Sequence, residues 1–194
     1  MLTALLLGGF VVISLAGPLA QYGPSQTTNV TAWQPAPGSK TTCDKTSDKI
    51  IGFYQGPQLE TVLDNACAEM MSPCAYQERL SQDIVCAQTI NWNLPESVSS
   101  IQDANVETSE GKKISGWDVK FTVAPPEQPQ GAPFVSWTRQ ECYGYFAHLL
   151  EKWEDKGGCH TNRGFGIGKI EAGGDTPLKG AVFELTIVPA KEDG

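Results

Sequence analysis

The first 39 residues carry no charged side chain, and the whole chain of 194 residues carries only two histidines, His148 and His160. No Cys-x-x-Cys occurs, so the six cysteines do not have the spacing of a structural zinc site. Gly-x-Ser-x-Gly, His-Glu-x-x-His and a phosphate-cradling glycine loop with its lysine are also missing. These gaps remove the sequence signatures of several hydrolase and nucleotide-binding classes. The apolar run from Leu5 to Ile13 ends at Gly17-Pro18, short of the roughly 20 apolar residues that span a bilayer. Its length suits the apolar segment of a signal peptide, with small residues at Ser14-Leu15-Ala16 and again at Ala20 for cleavage. Residues 1 to 20 are therefore read as a secretion signal, with no membrane insertion after its removal.

What is present fits that compartment. Cys43, Cys67, Cys74, Cys86, Cys142 and Cys159 all follow the cleavage region and are even in number. In an oxidising compartment they imply three disulfides, with fifteen pairings that spacing alone leaves open. Fourteen basic against twenty-two acidic side chains give a net charge of −8, which repels phosphate backbones and anionic lipids. No nucleic-acid partner and no cofactor are expected.

Residues 21 to 42, rich in Gly, Pro, Ser, Thr and Gln, are read as a flexible arm, with a glycosylation sequon at Asn29-Val30-Thr31. Residues 43 to 190 form one domain of suitable size for a single core. Gly56-Pro57 opens a helix in which Leu59, Val62, Leu63, Ala66, Cys67 and Met70 make one stripe, stopped at Ser72-Pro73. Ile84 to Leu94 alternates as a strand, as does Trp117 to Val123, with Glu110-Gly111 as a hairpin turn before the latter. Thr138 and Glu141 form a capping box for a second helix starting at Arg139. Its apolar face is Cys142, Tyr145, Phe146, Leu149 and Trp153, and Gly157-Gly158 end it. A glycine-alternating strand through Phe165 and Ile167 follows, then a turn and a last strand at Ala181 to Ile187 that pairs with it antiparallel. The expected fold is α+β: an antiparallel sheet of four or five strands with two helices packed on one face, a disulfide-stabilised sandwich.

Chemistry is harder to find. Helical phase turns His148 toward solvent. His160 and Arg163, with Glu171 or Glu184 on a neighbouring strand, would make the acid, phosphate clamp and base of a secreted ribonuclease. Trp33, Trp137 and Tyr143 are the aromatics expected at the surface, and Trp137 and Tyr143 are the candidate glycan-stacking residues.

The secretion signal, the Gly/Pro-led helix with Cys67, the capped helix Thr138-Arg139-Gln140-Glu141-Cys142, the following Cys159, the glycine-rich strand and the final hairpin together resemble the small cysteine-rich secreted proteins of filamentous fungi. Within that group the chain is similar to necrosis-inducing Ecp-type effectors and killer-toxin-like α/β sandwiches. The resemblance implies a non-enzymatic virulence protein of the extracellular space that acts on a host or competitor, and it carries no active-site residues. A lectin-like glycan-binding module is the alternative function, and a ribonuclease the third.

Overall fold

A computed structural model describes residues 33–53, 58–129 and 131–191. The signal segment, Asn29 and Gly56-Pro57 lie outside the described residues. Its main sheet has five antiparallel strands in the order β1 (Lys40–Cys43), β9 (Gly168–Glu171), β10 (Val182–Pro189), β6 (Trp117–Ala124) and β4 (Val98–Gln102). The long central pair sets the register, with Leu185 opposite Phe121 and Phe183 opposite Val123. Alternation puts Val119, Phe121, Val123, Phe183 and Leu185 on one face, where all are buried.

That face is covered by α1 (Leu59–Met70) and α2 (Arg139–Glu151). The buried residues of α1 are Val62, Leu63, Ala66, Cys67 and Met70, the stripe its spacing predicts. Phe146 of α2 stands edge-on to Phe121 and Phe183, at 5.1 and 5.4 Å between ring centres, while Tyr145 stacks on Phe183 at 4.5 Å. These are the offset and T-shaped geometries that aromatic quadrupoles favour. The expected α+β architecture is thus present, with both helices against the sheet.

Both ends of α2 are closed by specific hydrogen bonds. At the start, Glu141 N–H donates to Thr138 Oγ1 at 3.1 Å and Thr138 N–H donates to Glu141 Oε2 at 2.8 Å. At the other end the helix stops at Glu151, earlier than the glycine pair implies, and Lys152 turns extended. The chain then makes a short 3-10 turn over Glu154–Lys156 and doubles back. Cys159 N–H reaches the Leu149 carbonyl at 2.7 Å, satisfying an acceptor that the helix itself leaves open. A Cβ on Gly158 would lie 2.2 Å from the Lys152 carbonyl oxygen, so this return path is open only to glycine.

Two smaller sheets complete the fold. One joins β5 (Val106–Thr108), β2 (Lys49–Gly52) and β8 (Gly164–Phe165), and the other pairs β3 (Trp92–Leu94) with β7 (Val135–Trp137).

Several expectations are corrected. Order begins before Cys43: Trp33 packs on Tyr145 of α2 at 4.9 Å, and β1 starts at Lys40, so residues 33 to 42 of the expected arm belong to the domain. The glycine-alternating segment is two short strands in different sheets, because Gly166 crosses so near the Cys159 carbonyl oxygen that a Cβ would lie 2.2 Å from it. Ile84 to Leu94 is mostly irregular and only Trp92–Leu94 is extended in a sheet. The Glu110-Gly111 turn exists, with Gly111 at φ 88°, but it folds Val106 to Thr108 back on Lys112 to Ile114, while β6 pairs with β4 and β10.

Candidate functional site

The six cysteines pair as Cys43–Cys159, Cys67–Cys142 and Cys74–Cys86. Each pair has a different mechanical task. Cys67–Cys142 staples α1 to α2 inside the core, both side chains being fully buried. Cys43–Cys159 ties the edge strand β1 to the segment returning from α2. Cys74–Cys86 closes a small loop after α1, from which Ile84 and Val85 project into solvent, Val85 with 94% of its surface open.

Of the residues expected to face outward, Trp137 does not. It sits in β7 opposite Trp92 with 1% of its surface open, against Phe183 at 6.3 Å, and the glycan-stacking expectation for Trp137 is corrected on that ground. Strand pairing, rather than helix entry, sets its direction. Trp33 likewise lies on Tyr145 and over Gly144. Tyr143 is half-buried on α2, and burial raises its phenol above the ordinary value.

His148 is also corrected. It is buried at 8% exposure, because the returning segment covers the side of α2 that an isolated helix would show to water. Its Nε2 lies 3.1 Å from the Gly157 carbonyl oxygen, a geometry in which Nε2–H donates. Burial lowers its pKa, with the Gly157 bond opposing.

His160 and Arg163 line one cavity of about 340 Å³, with Lys45, Lys49, Asp44 and Glu154. Glu171 and Glu184 do not line it; they lie on β9 and β10, paired with Lys40 and Val182 and with Lys169 and Thr122 respectively. Glu154 is held by Lys45 at 2.6 Å, and the Arg163 guanidinium donates to the Ser109 carbonyl at 3.3 Å. The expected acid, base and clamp are therefore not assembled.

His160 instead belongs to an aromatic cluster. Trp153 meets it edge-on at 4.1 Å, and Phe53 and Phe165 flank it at 5.2 and 5.4 Å. Burial lowers the pKa of the imidazole. Trp153 is the outermost ring, 43% exposed, although helical phase assigns it to the core. That phase lapses because α2 has already ended. The signal for an early stop is the Glu154-Asp155-Lys156-Gly157-Gly158 run, too polar to continue a buried helix.

A second cluster joins the helices at the surface. Asp64 accepts from Arg79 at 2.5 Å and from Arg139 at 3.2 Å, Arg139 also pairs with Glu78, and its guanidinium lies 4.0 Å over the Tyr76 ring. Burial, reinforced by Asp64, pushes the Tyr76 hydroxyl up to about 12. This cluster braces α1, α2 and the turn at Pro73–Arg79.

Among the described residues no group of His, Cys, Asp and Glu is arranged to hold a metal ion, and no helix is long and apolar enough to cross a membrane. Comparison with family models, curated proteins and solved structures finds no match.

Proposed function

We propose that this chain is a secreted protein of the effector or toxin-like kind, which acts outside the cell on a host or competitor by binding and not by catalysis. The observation that carries the reading is the disulfide set. Three bridges, one of them joining residues 116 positions apart, suit an oxidising compartment and would not persist among cytosolic thiols. Asn29, if reached by the secretory glycosylation machinery, carries a glycan there. A second reading, a glycan-binding module, is favoured by the exposed Trp153 indole.

The test applies purified oxidised protein to host leaf tissue and to competitor cultures, beside protein reduced and alkylated at its cysteines. A tissue response or growth inhibition from the oxidised form alone is the expected result. Equal inertness of both forms in both settings overturns the effector reading.

A further inference from the structure

All five tryptophans fall among the described residues, and Trp153 is the one left exposed. Its backbone is fixed. The Trp153 carbonyl accepts from Lys156 N–H at 2.8 Å and Gly158 N–H at 3.2 Å, and the preceding Lys152 carbonyl accepts from His160 N–H at 2.9 Å. One residue before His160, Cys159 is anchored to Cys43. The ring is wedged on His160, which rests in turn on Phe53 and Phe165. A large aromatic held rigidly at a surface loses little conformational entropy when something stacks on it.

The ring borders an open depression of about 800 Å³, walled by Glu154, Asp155, Lys156, His160 and Thr161. The depression is shallow and open, so a ligand there would lie across the ring and not be enclosed. The charges at its rim cancel, since Glu154 is paired with Lys45 and Asp155 is followed by Lys156. A polyanion would meet no net attraction there and would be repelled by the −8 of the whole chain. Thr161 Oγ1 is already committed to the Gly164 carbonyl and to the N–H groups of Arg163 and Gly164. Asp155 and Lys156 therefore supply an acceptor and a donor beside the flat indole. Alternating donors and acceptors around an apolar ring face are what the hydroxyl rim and C–H face of a pyranose offer in return.

We propose that the Trp153 face binds a neutral oligosaccharide, one pyranose stacking on the indole and its hydroxyls bonding to Asp155 and Lys156. This rests on the reading of the chain as a binding protein. The test is titration of the full mature protein with chitohexaose, cellohexaose, laminarihexaose and mannohexaose, followed by isothermal titration calorimetry, which does not depend on the residue replaced, with trigalacturonate and polyuridylate as the anionic arms. At least one neutral hexamer gives a saturable change at up to millimolar concentration, and Trp153→Ala weakens it by about tenfold or more, as removal of a central aromatic anchor does. The pair Asp155→Ala with Lys156→Ala weakens it severalfold without moving the melting temperature, and it carries the test if Trp153→Ala lowers that temperature. Absence of binding by every neutral hexamer, unchanged affinity in both variants, or binding only of trigalacturonate or polyuridylate overturns the assignment. A tissue response that survives in Trp153→Ala would separate failure of this site from failure of the effector reading.

Discussion

Replacing Cys67 and Cys142 together by alanine removes the staple between α1 and α2, and the cost follows from the loop it closes. With the partners 75 positions apart in sequence, the chain-entropy relation gives about 4.5 kcal/mol at 25 °C. The smaller bridge Cys74–Cys86 lies inside that loop and shortens the free chain, so the value with it intact falls to about 4.3 kcal/mol. The same relation assigns the 12-residue separation of Cys74–Cys86 only about 2.8 kcal/mol. Both sulfurs of the staple are fully buried, so each alanine also leaves a small void that adds to its loss. For a chain of this size each kcal/mol moves the melting temperature by about 2–4 °C, so the staple variant should melt roughly 10–20 °C lower. Urea denaturation followed by circular dichroism, on both double variants and the parent, gives the free energies directly. A loss below about 1 kcal/mol for the staple, or a larger loss for the small loop than for the staple, would refute this reasoning.

Gly144→Ala tests the approach of Trp33 to α2. An added Cβ would lie 2.3 Å from the indole, and overpacking of about 1–3 kcal/mol outweighs the roughly 1 kcal/mol that alanine contributes to a helix. The variant is expected to be less stable to urea, with Trp33→Ala restoring the gain, and a stabilised single variant would contradict the packing. Thr138→Ala removes the acceptor for Glu141 N–H and should cost about 1 kcal/mol in the same assay. His148 predicts a pH dependence. Its folded-state pKa is lowered by burial while the unfolded chain takes up its proton near about 6.5, so the unfolded state binds more protons. The contribution is complete above about 6.5 and is lost as pH falls through that value toward the folded-state pKa. His160, also lowered by burial, acts in the same direction. Melting temperature should therefore fall between about pH 7 and 5, less steeply in His148→Gln, and a profile flat across that interval would remove the argument.

The helices were legible because their signals are local. A capping box and a stripe at i, i+3, i+4 and i+7 need no knowledge of partners, and the capped start of α2 and the buried face of α1 lie where those patterns put them. The long strands β6 and β10 were legible for the same reason, since their alternation matches a one-sided sheet. Strand β4 is invisible to that test because its alternation is inverted. Ser100 and Gln102 point inward while Ile101 stands at the surface. The inward pair is made tolerable by a chain of hydrogen bonds, Gln102 to Ser100 at 2.7 Å and Ser100 to Glu69 of α1 at 2.6 Å, which no linear pattern announces. Ile84 and Ile90 mislead in the opposite sense, apolar in sequence yet exposed, Ile84 inside the small disulfide loop and Ile90 in the irregular stretch that follows it. Trp153 was misplaced since helical phase carries meaning only as far as the helix itself. The surface it forms with His160 and Phe165 depends on a chain reversal set by three-dimensional closure.

The three bridges are nested like brackets, 74–86 within 67–142 within 43–159, and none crosses another. Each can therefore close from the inside outward with no threading of one loop through the next. A single cut by a protease anywhere between Asp44 and Gly158 also releases nothing, because the outermost bracket keeps both pieces covalently joined. In fluid rich in hydrolases, a nicked molecule of this kind would retain its mass and its surface.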